Sequence, residues 1–200
     1  RRNLRVEPRC LVTRILFEGT RAVGVEYLHH GQLVRMRARR EVIVAGGAIN
    51  SPQILMLSGI GDADALKRLD IAPVAHVPGV GANLQDHIET YVQHACTQPI
   101  TLHSTQNIVA KGAIGVEWLL FRTGLGATNH FEAGGFCRSN DVVDYPNLMF
   151  HFLPMAIRYD GTSPSEGLGY QVHVGPMYSD ARGSVQIRSS DPRQPPALRF

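Results

Sequence analysis

The stretch that most constrains the fold is residues 41–61, where an apolar run, two glycines and a second apolar run follow one another. Residues 41–45 are almost wholly apolar, which predicts a strand buried on both faces, as in a parallel sheet. We expect Ser51 to cap the next helix and Pro52 to take its first position, where the missing N–H costs nothing. Gly59 is expected at the helix C-terminus. The stretch therefore predicts a strand, a small turn and a helix.

The glycine pair between these two elements is a place where a ligand can approach the backbone. Gly46 and Gly47 have no Cβ, and a helix N-terminus offers free N–H groups and the positive end of the helix dipole. The alternative is that the pair only makes a tight turn, and the residues alone leave both interpretations open. The dinucleotide fingerprint GxGxxG does not occur in the sequence. If a dinucleotide binds, we expect its pyrophosphate turn upstream of Arg1.

The residues before this stretch predict β structure. Three segments rich in Val, Leu and Ile are separated by Glu-Gly-Thr and His-His-Gly, which favour hairpin turns; they are residues 10–17, 21–28 and 32–38. After the stretch, Asp62 is expected to begin a second short helix.

A Pro- and Gly-rich connection at residues 72–87 divides the chain. We assign residues 1–85 to one domain and residues 86–200 to another. In the second domain we expect a helix at residues 107–121. Strands are expected there as well, the last three in an antiparallel sheet, at residues 90–96, 147–153, 170–177 and 184–189.

Composition excludes several function classes. The 200 residues carry a net charge of +3, and the basic residues are scattered, so no nucleic acid partner is expected. The three cysteines lie far apart without CxxC, and no HExxH occurs, so we expect neither a disulfide framework nor a metal site. The sequence has no apolar run of about 18 residues, and its first residues lack the apolar core of a signal peptide. We expect a protein that is not secreted.

Residues 47–61 resemble the second signature of the glucose–methanol–choline (GMC) oxidoreductases. The order is two small residues, two free, Ser-Pro, one free, two aliphatic, two free, and Ser-Gly-aliphatic-Gly. Residues 77–87 are similar to another segment of that family. Residues 125–139, 151–154 and 170–177 resemble its choline dehydrogenase branch. The resemblance covers nearly the whole chain and identifies it as an internal fragment of a family member.

The resemblance implies a mixed α/β and α+β fold, in which part of an FAD-binding Rossmann-like domain is joined to a substrate domain with an antiparallel sheet and flanking helices. It implies FAD as the cofactor and places the catalytic His and its partner outside this chain, so no catalytic residue is expected within it and the fragment alone is expected to be inactive. It also implies that the FAD site includes Val12 and residues at or near the glycine turn, namely Ala45, Gly46, Gly47, Ala48, Ser51 and Pro52.

A polar segment follows the Gly-rich connection. Asn83, Asp86 and His87 could hold their loop together through hydrogen bonds, because Asn and Asp bond readily to nearby backbone. Direct contact with the flavin is the alternative, and we favour the structural role.

The substrate side centres on Glu132, a carboxylate among small and apolar neighbours. Such a carboxylate needs a cationic partner or a raised pKa. A quaternary ammonium group suits it, since this cation has no N–H to satisfy and favours aromatic faces. The alternative is an ion pair with Arg138 inside the fold. Candidate aromatic faces are Trp118, Phe131, Phe150, Phe152 and Tyr159.

Three residues are assigned to substrate binding on this resemblance: Glu132, His130 and Trp118. His130 lies two residues before Glu132 and shares its strand face if the segment is extended. His151 and His173 are weaker candidates, because alternation in their strands could point them into the sheet interior.

The implied reaction is FAD-dependent oxidation of choline to betaine aldehyde, by hydride transfer to the flavin. Two rivals stay open: a family member acting on a neutral or aromatic alcohol, and a non-catalytic structural or interaction domain. We expect a location in the cytoplasm or at the periphery of the inner membrane, the latter through a quinone acceptor.

Overall fold

The computed structural model describes residues 2–158 and 167–200. The chain forms two compact units: the first runs to residue 85 and also contains residues 180–200, and the second is formed by residues between 86 and 179. One boundary between the units lies after residue 85. Residues 180–200, which we assigned to the second domain, pack with the first unit. The roles of the two domains in binding FAD and substrate stay predictions.

The described residues contain twelve strands and three α-helices. The strands are β1 (Cys10–Glu18), β2 (Arg21–His29), β3 (Gln32–Arg37), β4 (Ile60–Gly61), β5 (Ala75–His76), β6 (Ala82–Leu84), β7 (Thr90–Ala95), β8 (Ala133–Cys137), β9 (Leu148–Leu153), β10 (Gly169–Pro176), β11 (Gly183–Gln186) and β12 (Ala197–Arg199). The α-helices are α1 (Gly47–Leu57), α2 (Ala63–Lys67) and α3 (Ile108–Phe121), and short 3₁₀ helices occupy Leu102–Thr105 and Leu125–Ala127.

The first three strands form an antiparallel meander in the order β1-β2-β3, as the hairpin signals predict. The turn between β2 and β3 places His30 and Gly31 at φ 49° and 79°. Positive φ at both central residues is the geometry of a type I′ turn, which matches the twist of paired strands. The glycine in the His-His-Gly segment therefore sets this hairpin.

A buried carboxylate joins the three strands of this meander. Glu26 on β2 is 4% exposed and receives the guanidinium groups of Arg14 on β1 at 2.9 Å and Arg35 on β3 at 2.8 Å. The hydroxyl of Thr13 adds a hydrogen bond at 3.2 Å. The hydrogen bond from Arg14 is the largest cause that holds the pKa of Glu26 below its usual value, with Arg35 and Thr13 adding to it. Burial alone would raise that pKa, so the two arginines dominate.

The structure corrects two predictions about residues 41–61. Residues 41–45 are not a strand, and Ile43 is 80% exposed; in the described part of the chain no strand pairs with them. An apolar run becomes a buried parallel strand only where neighbouring strands complete its hydrogen bonds. The parallel pair that is observed joins β4 to β5.

Helix α1 begins earlier than predicted. Its N-cap is Gly46, so Ser51 and Pro52 lie inside the helix rather than at its start. The hydroxyl of Ser51 still accepts a hydrogen bond from the N–H of Gly46, at 3.0 Å. Ser51 therefore satisfies an N-terminal donor from within the helix, which sequence spacing alone does not distinguish from capping.

The C-terminus of α1 is as predicted. The helix ends at Leu57, and Gly59 follows with φ +88°. A Cβ at this position would lie 2.6 Å from the carbonyl oxygen of Ala72, so the backbone approach requires glycine. Helix α2 follows, and its N-cap Asp62 accepts a hydrogen bond from the N–H of Ala65 at 2.8 Å, again as predicted.

The second unit is built on an antiparallel sheet in the order β7-β10-β9-β8. The predicted strands at residues 90–96, 147–153 and 170–177 are confirmed as members of it. The predicted strand at residues 184–189 corresponds to β11, which lies instead between β12 and β6 in the first unit. Gly183 permits this placement, because a Cβ at this position would clash with the backbone carbonyl of Arg199.

Helix α3 is confirmed where the sequence predicts it. Asn107 caps its start by accepting the N–H of Ala110 at 2.9 Å, and it ends on Arg122 at φ 57°. No residue of α3 is buried. Within residues 2–158 and 167–200, no helix has the length and apolar character needed to cross a membrane.

Candidate functional site

A groove of about 510 Å³ lies in the first unit between β1, α1 and the segment before β12. Val12 on β1 and Gly46 at the start of α1 both line it, so the fold brings together two residues that are far apart in sequence and were both assigned to cofactor binding. The other lining residues are Cys10, Leu11, Ile49, Asn50, Gln53, Ile54, Leu57, Pro192, Arg193, Pro195, Pro196 and Leu198.

The remaining residues assigned to the cofactor lie beside the groove rather than in its lining. Ala45, Gly47 and Ala48 are exposed at the helix N-terminus. Gly47 has φ +79°, and a Cβ there would meet no atom within 4 Å. Its backbone is therefore open to a ligand. Ser51 and Pro52 lie within α1, and the hydroxyl of Ser51 accepts the N–H of Gly46.

Gln53 is a groove residue that sequence reasoning missed. It is 9% exposed, and its side-chain amide donates to the carbonyl of Gln194 at 3.1 Å. This bond ties α1 to the segment that forms the opposite wall. The partner is 141 residues away in the chain, so no local pattern could have indicated it.

Helix α1 is held against β1 by a buried serine. The hydroxyl of Ser58 accepts the N–H of Ile15 at 2.8 Å and donates to the carbonyl of Ile54 at 2.5 Å. Ser58 is 7% exposed and Ile15 is 6% exposed. The bond crosses from the helix C-terminus to the strand that carries Val12, so it sets the spacing of the groove.

The loop at Asn83, Asp86 and His87 supports its own backbone. The carboxylate of Asp86 accepts the N–H of His87 at 2.8 Å, and Asn83 has φ 57°. The ring Nδ1 of His87 lies 3.4 Å from the carbonyl oxygen of Pro176. These contacts support the structural role that we favour, and a contact with flavin stays a hypothesis.

The residues that the sequence assigned to the substrate lie in the second unit, which is built on a four-stranded sheet. Register places His173 opposite both Tyr91 and His151, and His151 opposite Gly134. Residues directly opposite one another in antiparallel strands point to the same face. A row of one phenol and two imidazoles therefore crosses the sheet and ends at a glycine.

Phe131 packs against this row. Its ring centroid lies 5.9 Å from that of His151 and 5.8 Å from that of His173, with interplanar angles of 78° and 72°. These are edge-to-face contacts, the arrangement that aromatic quadrupoles favour. Phe131 is 40% exposed, so part of its ring is available to a ligand.

Glu132 follows Phe131 and is exposed. Its carboxylate accepts a hydrogen bond from the hydroxyl of Thr128 at 3.3 Å. Arg138, the alternative partner considered from the sequence, donates to the carbonyl of Val143 at 3.3 Å. An Arg138–Glu132 ion pair is therefore not what holds this carboxylate.

His130 does not share a strand face with Glu132. Its φ is 66°, and β8 begins only at Ala133, so the segment turns where an extended strand was assumed. His130 lines a separate cavity of about 310 Å³ beside α3, together with Lys111, Ile114 and Met155 among others. Its Nδ1 is buried there and has no hydrogen-bond partner within the described residues.

Trp118 lies on α3 and is 39% exposed. The guanidinium of Arg122 stacks over its ring at 4.2 Å, and its Cβ lies 2.9 Å from the position that a Cβ on Gly126 would take. Trp118 is thus associated with the turn that precedes His130. Its assignment to the substrate stays a prediction.

The other candidate aromatics divide between the two faces of the sheet. Phe150 and Phe152 pair with Val174 and Val172, which alternation places on the face opposite to His151 and His173. They therefore cannot belong to the same aromatic surface as Phe131. Tyr159 lies outside the described residues.

A buried polar chain that the sequence analysis missed runs along the Phe131 face. Nδ1 of His173 lies 2.6 Å from a carboxylate oxygen of Glu89, and its Nε2 lies 2.6 Å from the amide nitrogen of Gln171. His173 is 2% exposed and Gln171 is fully buried. Alternation predicted that His173 points into the fold, but the sequence carried no signal for Glu89 as its partner.

Known proteins are similar to this chain in sequence and in fold. A family model for GMC oxidoreductases matches residues 1–89. The oxygen-dependent choline dehydrogenases of Staphylococcus aureus strains MSSA476 and Newman are each 55% identical over 200 residues, covering 100% of this chain and 35% of the relative. The chain therefore spans about a third of the length of these curated relatives.

Solved structures agree at the level of the fold. Formate oxidase superposes with a TM-score of 0.85 at 22% identity, over 95% of this chain and 38% of that chain. Pyridoxine 4-oxidase from Mesorbium loti gives a TM-score of 0.72 at 21% identity, over 95% of this chain and 33% of that chain. Identities this low show a shared fold and nothing finer about the substrate.

Proposed function

We propose that this chain, whose residues 1–89 match the GMC oxidoreductase family model, forms part of an FAD-dependent enzyme that oxidises choline to betaine aldehyde. The observation that carries the proposal is Glu132, an exposed carboxylate that follows Phe131 in the chain. Within the described residues, its recorded hydrogen-bond partner is the neutral hydroxyl of Thr128. The name of the 55% identical relatives, choline dehydrogenase, supports the same substrate.

The first unit contributes one wall of the FAD site. We place part of the cofactor in the groove of about 510 Å³ that Val12 on β1 and Gly46 at the start of α1 both line. The open backbone at Gly47 lets a polar group approach the helix N-terminus. These features support FAD as the ligand. The hydrogen bonds of Ser58 to β1 and of Gln53 to the segment before β12 fix the spacing of the groove walls.

The second unit contributes the recognition of the cation. A trimethylammonium group has no N–H to donate, so it gains from a carboxylate and an aromatic face rather than from hydrogen bonds. Glu132 supplies the charge and Phe131 supplies an adjacent ring that is 40% exposed. The hydroxyl of Thr128 donates a hydrogen bond to the carboxylate and orients it.

The reaction removes a hydride and a proton from the alcohol carbon and its hydroxyl. When bound, FAD accepts the hydride. The proton goes to a base that we expect outside this chain, so the residues here bind and orient the substrate. Because the relatives are named oxygen-dependent, we propose oxygen as the final electron acceptor in place of the quinone considered from the sequence. We propose a location in the cytoplasm or at the periphery of the inner membrane.

The proposal is tested by substrate discrimination in the complete flavoprotein that carries this chain. Choline is compared with its uncharged isostere, in which carbon replaces the nitrogen, under the same oxygen concentration. We expect kcat/KM for choline to be higher by about tenfold or more, because each 1.4 kcal/mol of lost attraction is about tenfold. Equal kcat/KM for the two alcohols would contradict cation recognition and favour a neutral alcohol. Flavin binding without turnover of either alcohol would favour a non-catalytic domain.

A further inference from the structure

A continuous set of hydrogen bonds lies beneath Phe131 in the second unit. Gln171 and His173 are both on β10 and point to the same face of the sheet, where they are 0% and 2% exposed. Buried polar side chains destabilise a fold unless their hydrogen bonds are made. The orientation of each of these side chains is therefore determined by its partners.

The direction of every bond in this set follows from one backbone group. The Oε1 of Gln171 accepts the N–H of Ile157 at 2.9 Å and the amide nitrogen of Gln93 at 2.9 Å. A backbone N–H can only donate, so the other end of the Gln171 amide is the nitrogen. That nitrogen lies 2.6 Å from Nε2 of His173 and donates to it. The ring proton of His173 is consequently on Nδ1, 2.6 Å from the Glu89 carboxylate.

Two directional bonds therefore hold the His173 ring at both nitrogens. A rotation of the ring would break a buried hydrogen bond at one end or the other. Phe131 packs edge-to-face on this ring at 5.8 Å. The next residue in the chain is Glu132, whose carboxylate we assign to the substrate cation.

We propose that Glu89 and His173 are positioning residues for cation recognition by Glu132. The inference rests on the proposed function. Glu89, whose side chain is 44% exposed, anchors the set at the protein surface. His173 transmits this orientation to the ring of Phe131, which determines where the adjoining Glu132 lies. Neither residue contacts the reacting carbon in this assignment.

In this assignment, Glu89 positions His173 through its acceptor oxygen, and the negative charge of Glu89 is not required. Glu89→Gln keeps an acceptor for the Nδ1 proton of His173, whereas Glu89→Ala removes it. In the complete flavoprotein, Glu89→Ala should raise KM for choline by about fivefold to thirtyfold while kcat changes by less than about threefold. Glu89→Gln should keep KM within about threefold of wild type.

Two readouts separate this role from general loss of structure. KM for the uncharged isostere of choline should stay within about twofold of wild type in Glu89→Ala, since that alcohol does not use the Glu132 charge. In a Glu132→Gln background, adding Glu89→Ala should change KM for choline by less than about twofold, because coupled residues are not additive. Rates are expressed per bound flavin. If Glu89→Ala does not retain flavin, Glu89→Asp, which withdraws the acceptor by one methylene, is judged on the same criteria.

The outcomes distinguish this inference from the proposed function. An unchanged KM for choline in Glu132→Gln alone would overturn both. A raised KM in Glu132→Gln with a normal KM in Glu89→Ala would overturn only the positioning role. An equal rise in Glu89→Gln and Glu89→Ala would show that the charge of Glu89 acts on the cation directly, which also overturns positioning.

Discussion

At the scale of single residues, the charge of a side chain and its surroundings carry separate information. Glu26 and Glu132 are both carboxylates, yet Glu26 is 4% exposed and paired with two arginines, whereas Glu132 is exposed and contacts a hydroxyl. Glu26 is therefore a structural charge. Glu132 has the environment of a charge that is free to meet a ligand.

Replacing Glu132 by Gln in the complete flavoprotein keeps its shape and removes its charge. Attraction between charges a few ångströms apart, partly screened by water, is about 1–3 kcal/mol. We expect kcat/KM for choline to fall by about fivefold to a hundredfold. The change should lie mainly in KM, because the charge on the nitrogen does not change during hydride transfer. Steady-state kinetics on flavin-normalised enzyme measure this, and a normal KM with a lowered melting temperature would remove Glu132 from the substrate site.

Replacing Glu26 by Gln should destabilise the meander at neutral pH. Because the folded pKa of Glu26 is lowered, its charge stabilises the fold above the ordinary Glu pKa and loses that contribution as pH falls through the folded pKa. Arg14 and Arg35 are 48% and 63% exposed and can regain water, so we expect a loss of about 1–3 kcal/mol at pH 7.

Thermal unfolding at a series of pH values measures this effect. The difference in melting temperature between Glu26→Gln and wild type should shrink as the solution becomes acidic. Glu18→Gln is the matched control, since Glu18 is 63% exposed in its pair with Arg37. Its replacement should lower the free energy of unfolding by less than about 1 kcal/mol. A pH-independent difference for Glu26→Gln would contradict the ion-pair explanation.

At the scale of elements, the contact between α1 and β1 determines the shape of the groove that we assign to the cofactor. The contact depends on a hydrogen bond between Ser58 at the helix C-terminus and the backbone of Ile15. Substituting Ser58 by Ala leaves the buried N–H of Ile15 without its acceptor, which costs about 1–3 kcal/mol. We expect a lower melting temperature and a reduced flavin content in purified protein.

Ser51→Ala is the control for the change in melting temperature, because it makes the same substitution near the opposite end of α1. The Ser51 hydroxyl accepts the N–H of Gly46 at the exposed helix start, where water can replace it, so its loss should cost about 0.5–1 kcal/mol. Equal losses of stability in the two variants would show that the hydrogen bond from Ser58 to β1 stabilises the fold no more than an exposed hydrogen bond does.

At the scale of the whole molecule, residues that are far apart in sequence complete the first unit. Strand β11 pairs with β6 and β12, so residues 180–200 close a unit that began before residue 85. Gly183→Ala would place a Cβ against the backbone of Arg199. Because that carbonyl cannot move independently of the strand, we expect a loss of about 3 kcal/mol or more.

The matched control is Gly79→Ala, whose Cβ would meet no atom within 4 Å. Its melting temperature should stay close to that of wild type. A melting temperature for Gly183→Ala equal to that of the Gly79 variant would contradict the close pairing of β11 and β12.

The purified chain of 200 residues is predicted not to oxidise choline. The reason is that the residues we assign to the cofactor and to the substrate cation lie in this chain, whereas the base is expected outside it. Choline oxidation is measured with added FAD, in protein from a host without its own choline-oxidising enzyme. Turnover above that of a Glu132→Gln control would show that the base lies within this chain.

Local chemistry made most elements predictable. Val, Leu and Ile content and turn residues predicted β1 to β3, and Asp62 predicted the start of α2, because these signals act between residues within one turn or one hairpin. The segments predicted for β7, β9, β10 and α3 were also found. The glycine turn and Glu132 were also visible as unusual residues in their local setting. The family signature at residues 47–61 was readable for the same reason, since it lies on one turn and one helix.

Contacts between distant segments were decided by the tertiary structure. Residues 41–45 have a strand-like composition, but a strand requires partners, and these lie outside the segment itself. The same holds for β11, which its neighbours draw into the first unit, and for Gln53, whose partner is 141 residues away. His130 left the face of Glu132 because one positive φ turned the chain. Burial and hydrogen bonding of this kind depend on what the rest of the fold places nearby, and that information is not contained in any local pattern of residues.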